Sequence, residues 1–569
     1  MRDQVPPGDT LAVAVRVELA GALGALVDPR RPVHGGLQRD IAQGVAGVMT
    51  MLGLPGQPAV VVVALDEAMP AGRFLRVLVN GVQCRYSDDL LQAIHSYTTG
   101  RLMATDATPT TLLAWLTSLL DGHSEQAAEF LALTCVEIVK QRPRALFGPA
   151  QAQAYTAWLS TDPAAGGPHE AAWSAGTTAL LPILHDVLDL RISLADRTTV
   201  GRLLREGFEA GRSPRAISES LIEALCPRVV ELRMPSPDLR QFTIEWQEDG
   251  AAKFQYLRDG LFEELGVTYP VFRFAADDAL KPNSFRFQIN HLATPPLVSL
   301  APTQCFVNED VRRLPAGLSG DPAANPVTRY PQAVIDRKDQ QSAADARLTT
   351  WDQPDYLVLC LADALRVHGG CFIDRRFVQH MVQMIASAYP SLGEIAQRRI
   401  SLEEMTDWLR QLVDEQISVR NLRLILETIA DFDPAVTADP LIYLRQALQR
   451  EIAAKHARGT STVIAYLLGK DLETLIPQAT EPAAAASPQE VDQVATTIIG
   501  AIKKELADLR AKAPTAAIPS LLTFAELRRP LRELIAPELP RVNVISFPEI
   551  PPLMNVQPVD RISLAKDPS

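Results

Sequence analysis

One short stretch of this chain occurs twice, and the repeat limits the folds that the chain can adopt. Asp189–Leu194 reads D-L-R-I-S-L, and Asp414–Val419 reads D-E-Q-I-S-V at an offset of 225 residues. Two further pairs keep the same order at similar offsets: Glu129–Leu133 with Asp355–Leu359, and Leu52–Gly53 with Leu265–Gly266. Such ordered matches indicate a tandem duplication. We therefore expect copy 1 at residues 1–233 and copy 2 at residues 238–457.

The chain has 569 residues, too many for a single core, so several domains are expected. Copy 1 is expected to hold a degenerate α/β subdomain (1–87) and a degenerate helical subdomain (88–233). Copy 2 should hold an α/β subdomain with an inserted loop-rich subdomain (238–354) and a helical subdomain (355–457). A C-terminal α/β subdomain (458–569) completes an α+β and α/β multidomain fold without transmembrane helices.

The strands of these subdomains are predicted from β-branched and alternating apolar runs. They are Leu11–Val17, Ala59–Leu65, Phe74–Val82, Gln241–Trp246, Pro270–Ala275, Ser284–Asn290 and Ser461–Leu468. Gln304–Ala346 is rich in proline and is expected to be mainly loop. Near the C-terminus, Ser520–Thr523, Ala525–Ile535 and Val542–Ser546 predict a βαβ unit with two parallel strands.

A predicted helix over Gln416–Phe432 marks the better preserved copy. Ser418 is the expected N-cap, because its hydroxyl can accept a hydrogen bond from a free backbone N–H. Ile417 and Leu422 have the spacing of a hydrophobic staple. Apolar residues at helical spacing then predict a buried stripe: Leu422, Ile425, Leu426 and Ile429.

The corresponding stripe of copy 1 is eroded. Its four positions hold Arg197, Val200, Gly201 and Leu204. A glycine inside a helix costs about 1 kcal/mol relative to alanine, and a charge replaces one apolar position. We expect this helix of copy 1 to pack differently.

Composition excludes several classes of protein. The net charge of −12 argues against a nucleic-acid binder, which needs a basic face. Six scattered cysteines without a C-x-x-C pair suit a reducing compartment. The N-terminus lacks the apolar stretch of a secretory signal, and no apolar run reaches the ~20 residues of a membrane span. We therefore expect a cytoplasmic protein, peripherally associated with a membrane assembly at most.

No catalytic pattern is present in the sequence. Gly469–Asp471 lacks the glycine-rich loop of a phosphate-binding motif, and no G-x-S-x-G or H-E-x-x-H occurs. Zinc ligation by Cys360, His368, Cys371 and His380 is disfavoured, because these residues lack paired ligand spacing. We predict no enzyme, cofactor or metal. The arginines Arg528, Arg529, Arg532 and Arg541 form a local basic face, either solvated or facing an acidic partner.

With these motifs in view, the chain resembles the cytosolic domain of the type III secretion and flagellar export-gate family, whose branches are FlhA and SctV. Asp414–Asp431 is similar to the family signature E-x-V-x-I-R-D-L-R-T-I-L-E-T-L-A. Leu280–Phe287 is similar to L-x-P-N-x-Y-x-I, and Leu441–Ile452 to the following helix. Leu521–Ile550 resembles the closing α/β subdomain. Val17–Asp28 of copy 1 resembles the family's opening.

The resemblance implies a non-enzymatic export-apparatus protein with four cytosolic subdomains. In the family this part forms a nine-membered ring that docks secretion chaperones, secreted substrates and other apparatus proteins. It implies no catalytic residues. Candidate partner contacts are on the exposed side of the signature helix and on the P-N strand: Arg420, Asn421, Arg423, Glu427, Pro282, Asn283 and Phe285.

The chain also departs from the family pattern. The family's membrane half has no counterpart in this sequence, so the resemblance does not imply the gating function. A separate membrane export-gate protein is one candidate partner. The G-E-x-x-P-G segment of the family's docking side is not recognisable in Leu297–Asn308. The alternative function is a soluble regulatory scaffold or decoy that binds the same partners away from the membrane. Its oligomeric state would differ from a closed ring.

Overall fold

The computed structural model describes residues 13–56, 60–70, 72–103, 107–161, 176–245, 250–433, 439–480, 487–513 and 517–564. The chain divides into two compact units. Unit 1 comprises residues up to Asp259 and Thr268–Arg376, and unit 2 comprises Gly260–Val267 and Phe377–Ser569. None of the helices within the described residues has the length and apolar character of a membrane span.

Unit 1 begins with a four-stranded sheet in the order β2-β1-β3-β4. Its strands are β1 (Ala14–Ala20), β2 (Val60–Asp66), β3 (Leu75–Val79) and β4 (Val82–Cys84). Helix α1 (Pro32–Met51) connects β1 to β2, which run parallel because a helix crossover returns the chain in the same direction. β1 and β3 are antiparallel. The buried residues of β1 and α1 belong to one large apolar core.

A second sheet of unit 1 repeats this strand order as β6-β5-β7-β8. Its strands are β5 (Val230–Met234), β6 (Arg273–Ala276), β7 (Ser284–Ile289) and β8 (Leu292–Ala293). β5 is parallel to β6 and antiparallel to β7. A short strand β9 (Leu297–Val298) also pairs with β7.

Two sequence predictions for this sheet need correction. Gln241–Trp246 was expected to be a strand, but residues up to Glu245 belong to helix α9 (Ser236–Glu245), and Trp246 lies outside the described residues. The second correction concerns the boundary between the copies. The first strand of this sheet is β5, which begins at Val230, before the expected end of copy 1 at residue 233. A helix, α10 (Gly250–Leu265), follows.

Helices cover both sheets of unit 1. Copy 1 contributes α2 (Asp88–Thr99), α3 (Pro109–Leu119), α4 (Ser124–Gln141), α5 (Pro149–Thr161), α6 (Gly176–Asp189), α7 (Arg197–Glu209) and α8 (Pro214–Leu225).

The segment expected to be mainly loop instead forms a small antiparallel sheet, the inserted subdomain. Its strands are β10 (Gln304–Val307), β11 (Gly320–Ala324), β12 (Pro331–Asp336) and β13 (Thr350–Trp351), in the order β11-β12-β10-β13. A one-turn helix, α11 (Gln340–Asp345), closes a core of Cys305, Val307, Ile335 and Ala343. Short strands interrupted by proline lack the alternation that makes a strand recognisable in sequence. Helix α12 (Gln353–Val367) follows.

Unit 2 contains the remaining helices of copy 2. They are α13 (Arg375–Ala388, whose first two residues belong to unit 1), α14 (Pro390–Arg399), α15 (Leu402–Asp414), α16 (Leu422–Asp431), α17 (Pro440–Ala447) and α18 (Gln449–Ala457).

The C-terminal sheet of unit 2 has the order β16-β15-β14-β17. Its elements are β14 (Thr462–Leu468), α19 (Lys470–Thr480), α20 (Pro488–Lys512), β15 (Ser520–Thr523), α21 (Ala525–Ile535), β16 (Val544–Ser546) and β17 (Asn555–Ile562). β15 and β16 are parallel and joined by α21, which confirms the predicted βαβ unit. β17 was not predicted from the sequence, because seven of its eight residues are exposed and no apolar alternation marks it.

One backbone contact occurs in both copies. The Leu194 N–H donates to the Leu52 carbonyl over 2.8 Å, and the Val419 N–H donates to the Leu265 carbonyl over 3.0 Å. The glycine after each acceptor, Gly53 or Gly266, has a positive φ, 65° or 77°. Together with the shared strand order, these matches are what a duplication produces. We propose that copy 1 and copy 2 arose by tandem duplication.

Candidate functional site

Helix α16 begins later than the sequence suggested, so the expected N-cap is wrong. Asn421 is the N-cap, and its side-chain oxygen accepts a hydrogen bond from the Leu424 N–H over 3.4 Å. Ser418 Oγ instead accepts from the Arg420 N–H in the preceding loop. Gln416 has φ 57°, so the chain leaves the helical path there and resumes it at Leu422.

The buried stripe of α16 is confirmed. Leu422, Ile425, Leu426 and Ile429 are at most 5% exposed. In the equivalent helix α7 of copy 1, Val200, Gly201 and Leu204 are buried, whereas the Arg197 guanidinium turns outward over the Trp158 ring. The arginine therefore avoids the core, and the eroded stripe remains a packing face.

The opposite side of α16 carries the predicted contact residues, and each of them has a partner within unit 2. Arg423 Nε lies 2.7 Å from Glu427 Oε1, and its guanidinium stacks on the Tyr389 ring at 4.8 Å. Asn421 Nδ2 donates to Glu451 Oε1 over 2.9 Å. Because exposed ion pairs exchange readily with water, such a face can re-pair with an incoming protein.

Arg420 extends this face at its N-terminal end. It is exposed and forms an ion pair with Glu263 of α10. Arg420 and Arg423 thus lie among three carboxylates, those of Glu263, Glu427 and Glu451, and the face is of mixed charge. A mixed-charge face selects partners by complementary charge patterns rather than by net charge.

The second predicted contact region lies in unit 1. It is the loop formed by Pro282 and Asn283 directly before β7, here called the P-N loop. Asn283 has φ 57°, its N–H donates to Asp238 Oδ2 over 2.7 Å, and its Nδ2 donates to the Ser299 carbonyl over 3.2 Å. Pro282 is exposed. Asn283 therefore shapes the turn, which explains an asparagine there, since asparagine tolerates a left-handed backbone.

Phe285 cannot be a partner contact in this fold. It is fully buried and packs against Phe287, with ring centroids 5.5 Å apart. The family resemblance pointed to the right strand, but alternation along β7 turns position 285 inward.

A buried ion cluster in unit 2 was not anticipated from the sequence. The Arg445 guanidinium donates to both carboxylate oxygens of Glu549, over 2.9 and 2.7 Å, and to Glu415 Oε2 over 3.1 Å. Arg528 NH1 donates to the same Glu415 oxygen over 2.5 Å. The side chains of Arg445, Arg528 and Glu549 are 2 to 3% exposed. The cluster ties the helices of copy 2 to the C-terminal subdomain.

Electrostatics keeps this cluster ionised. Burial alone would raise the pKa of Glu415, but the nearby charges of Arg445 and Arg528 outweigh burial and hold that pKa below its usual value. One signal was visible in the sequence: Arg445 lies four residues after Leu441, on the apolar stripe of α17. An arginine on a buried stripe requires a buried carboxylate.

The predicted basic face of α21 is therefore wrong. Arg528 is buried in the ion cluster, and Arg532 donates to the carbonyls of Leu539, Pro540 and Val542. Arg529 pairs with Glu533 one turn later. Arg532 thus fixes the end of the helix and the following loop, and Arg528, Arg529 and Arg532 do not form a common charged surface.

Among the described residues, no group of three or more His, Cys, Asp or Glu side chains is placed to hold a metal ion. His368 is half-buried, and burial followed by the charge of Arg191 lowers its pKa to about 3. Burial raises the pKa of the Cys360 thiol to about 12. Cys360 is therefore a core side chain.

The sequence and the fold of this chain can now be compared with those of known proteins. The FHIPEP family model matches residues 180–555, about two thirds of the chain. The chain belongs to the FHIPEP family. The resemblance to export-gate proteins is thereby confirmed, and the match includes α16, the ion cluster and most of the C-terminal sheet.

Two relatives of this FHIPEP protein are named for secretion and for flagellar biosynthesis. The hypersensitivity response secretion protein HrcV of Ralstonia nicotianae is 26% identical over 320 residues, 55% of this chain and 45% of HrcV. The flagellar biosynthesis protein FlhA of Bacillus subtilis is 24% identical over 319 residues, 54% of this chain and 45% of FlhA. The match to each therefore spans less than half the relative's length.

Solved structures share the fold. The Chlamydia pneumoniae CdsV protein superposes with a TM-score of 0.51 at 24% identity, and the match covers 59% of this chain and 98% of CdsV. At this identity the likeness supports the fold, a mixed α/β multidomain architecture, and no finer property.

Proposed function

We propose that this FHIPEP protein is a non-enzymatic component of a type III protein secretion export apparatus. It binds secretion chaperones, secreted substrates or other apparatus proteins in the cytoplasm. The family match over residues 180–555 carries the proposal. In support, CdsV, whose fold this chain shares, has also been solved in a complex with CdsO.

The exposed face of α16 is the proposed contact. Arg423 and Glu427 lie on a helix whose opposite stripe is fixed in the core, Asn421 caps that helix, and Arg420 directly precedes the cap. A rigid helix holds these side chains in place, so a partner meets a preorganised pattern of charge. Copy 1 lacks the Arg423–Glu427 pair, because the equivalent positions hold Thr198 and Arg202. Each molecule therefore offers one such face.

A native pull-down with the double variant R423A/E427A tests both steps of the proposal. Unaltered protein should recover chaperones, secreted substrates or apparatus proteins, and the variant should lose most of them. The matched control is E394A/R398A, which removes another exposed ion pair, Arg398–Glu394, of the same i, i+4 spacing on α14. Recovery of no secretion component by the unaltered protein would overturn the proposal. An equal loss of recovered proteins in both variants would show that the exposed face of α16 is not the contact.

The second candidate function is a regulatory scaffold that binds the same partners away from the membrane. The difference between the exposed residues of α7 and α16 favours it, because the two copies cannot serve as equivalent positions of one ring. Light scattering on the full chain distinguishes the candidates. A stable monomer or dimer supports the scaffold, and a large closed assembly supports the apparatus component.

A further inference from the structure

Copy 1 contacts copy 2 within unit 1 through helix α2 and the residues that follow it. In copy 1, α2 and α3 occupy the place in the sequence that the inserted subdomain occupies in copy 2. One side of α2 contributes Leu90, Leu91 and Ile94 to the core of copy 1. Its other side faces strand β9, the P-N loop and the inserted subdomain of copy 2.

The first contact fixes the P-N loop. The Lys281 N–H donates to the Tyr97 hydroxyl over 3.0 Å, and Lys281 Nζ lies 5.2 Å from the centre of the Tyr97 ring. Lys281 Nζ also lies 2.8 Å from Glu129 Oε1 of α4. Polar contacts that are one third or more exposed, as the Lys281–Glu129 pair is, contribute little to stability.

The second contact covers the free edge of the inserted sheet. β11 is an edge strand, and the Ala324 N–H donates to the Met103 carbonyl over 2.6 Å. Ala93, Met103 and Ala324 form a small apolar cluster with Leu297 of β9, separate from the main core. An uncovered edge strand offers unpaired N–H and C=O groups, so Met103 shields a position where another chain could add.

The third contact is an ion pair at the base of the inserted subdomain. Arg329 has φ 60° and lies 3.3 Å from Asp89 of α2 and 3.5 Å from Asp363 of α12. Both distances are long for charge-assisted hydrogen bonds. Arg329 belongs to the inserted subdomain. It therefore links that subdomain to copy 1 and to the helical part of copy 2 through two loose ion pairs.

Packing at this contact is incomplete. A cavity remains between α2 and copy 2, lined among others by Ser96 and Met103 of copy 1 and by Leu297 and Arg329 of copy 2. Well-packed cores leave few such voids, because each lost contact costs dispersion energy. The cavity therefore weakens this side of the contact.

A different part of the copy 1–copy 2 contact is tightly built. Arg191 is 6% exposed, and its NH2 group donates to the carbonyls of Leu292 and Ala293 over 3.2 and 2.9 Å. Asn290 Nδ2 donates to the Leu190 carbonyl over 3.0 Å. Separation here would leave buried polar groups unpaired, so copy 1 stays attached to β8 when contacts elsewhere open.

We propose that α2 and Met103 form a releasable clamp on the inserted subdomain. In the closed state copy 1 holds the inserted sheet in one orientation and covers the Ala324 end of β11. When the Tyr97, Asp89 and Met103 contacts break, the inserted subdomain swings away while the Arg191 contact keeps copy 1 in place. Copy 1 is then a regulatory element in cis, which controls access to a sheet edge of copy 2.

Hydrogen exchange on the full chain tests the clamp without any secretion partner. The variant D89N/Y97F removes copy 1 groups of the clamp and leaves the inserted subdomain unaltered. Amide exchange in β10–β12 and at Ala324 should accelerate about tenfold or more, while β1 and β3 keep their protection. The matched control, E206Q, removes the exposed Arg202–Glu206 pair on α7 and should change neither region.

A disulfide lock provides the second measurement. In M103C/A324C, the backbone hydrogen bond between the two positions places the cysteines close enough for a bond. Oxidation should slow exchange in β10–β12 about tenfold or more relative to the reduced protein. Equal exchange in the oxidised and reduced forms would overturn the clamp. So would loss of protection throughout unit 1 in D89N/Y97F, because the contact would then be part of the core.

Discussion

Gly266 lies directly against the backbone of Arg420: a β carbon at position 266 would come within 2.8 Å of the Arg420 amide nitrogen. The neighbouring Leu265 carbonyl accepts the Val419 N–H, so the end of α10 and the loop before α16 are joined backbone to backbone. The loop that carries the signature is thus positioned by a helix distant in sequence.

Gly266→Ala should destabilise unit 2 by about 2 kcal/mol or more. The residue has φ 77°, which costs an alanine about 1 kcal/mol, and the added methyl group meets backbone atoms that cannot turn aside. Urea unfolding, followed by hydrogen exchange in α16, measures the loss.

Gly260→Ala is the matched control. Gly260 lies inside the same helix and is exposed, and a β carbon added there would meet no neighbouring atom within 4 Å. Alanine should stabilise the helix by about 0.5–1 kcal/mol. A similar loss in both variants would show that the contact with Arg420 does not matter.

Glu415→Gln should destabilise unit 2 by about 3 kcal/mol. The change removes the negative partner of Arg528 and one partner of Arg445, and it leaves buried positive charge uncompensated. Denaturant unfolding gives the value. Glu427→Gln, at an exposed pair, should cost less than about 1 kcal/mol.

The double variant E415Q/R528M should recover part of this stability, because it removes the uncompensated charge together with its partner. A double variant that is less stable than either single variant would contradict the assignment of Glu415 and Arg528 as a pair.

Acid should weaken unit 2 through His456. Burial, followed by the charges of Lys455 and Arg445, lowers the pKa of His456 to about 3, below the value of about 6.5 for an exposed histidine. Between these values the unfolded chain binds the proton and the folded chain does not. Stability is therefore full above about pH 6.5 and falls as the pH drops toward 3.

Comparing the unaltered protein with His456→Gln isolates this contribution. Between pH 6.5 and 5 the unaltered protein should lose about 1–2 kcal/mol more of unfolding free energy than the variant. Glutamine stays neutral and can donate to or accept from the Ser520 hydroxyl, which lies 3.0 Å from His456 Nδ1. Identical pH profiles would show that His456 does not titrate in this range.

The rate of thiol labelling should distinguish the buried cysteines from the half-buried ones. Burial raises the pKa of Cys135 and Cys360 to about 12 and that of Cys84 to about 11, so few thiolates form at neutral pH. Half-buried Cys226 and Cys371 should react first with a maleimide in native protein. Rapid modification of Cys135 without unfolding would contradict the described core.

The sequence predicted elements well where one pattern dominates. The stripe of α16 and the βαβ unit follow from apolar spacing, and both are present. The helix over Gln241–Glu245 was misread because its few residues fit strand alternation equally well. β17 went unseen because pairing with β14, not burial, defines it.

Candidate contacts were harder to predict, because exposure depends on tertiary packing. Family likeness placed Phe285 on the contact surface, yet β7 turns it inward. Arg528 looked solvated on a helix rich in arginine, but Glu415, more than a hundred residues earlier, draws it into the core. Whether such a side chain is exposed depends on its contacts with residues far away in the sequence.

The membership of Gly260–Val267 in unit 2 has a consequence for biosynthesis. These residues leave the ribosome long before Val419, whose N–H completes the contact with Leu265. At about 5–20 residues per second, the end of α10 waits roughly 10 to 30 s for its partner. Unit 1 is complete once Arg376 has emerged, and it can start to fold before the contact between Leu265 and Val419 forms. The nascent chain must therefore keep this helix end exposed without aggregating.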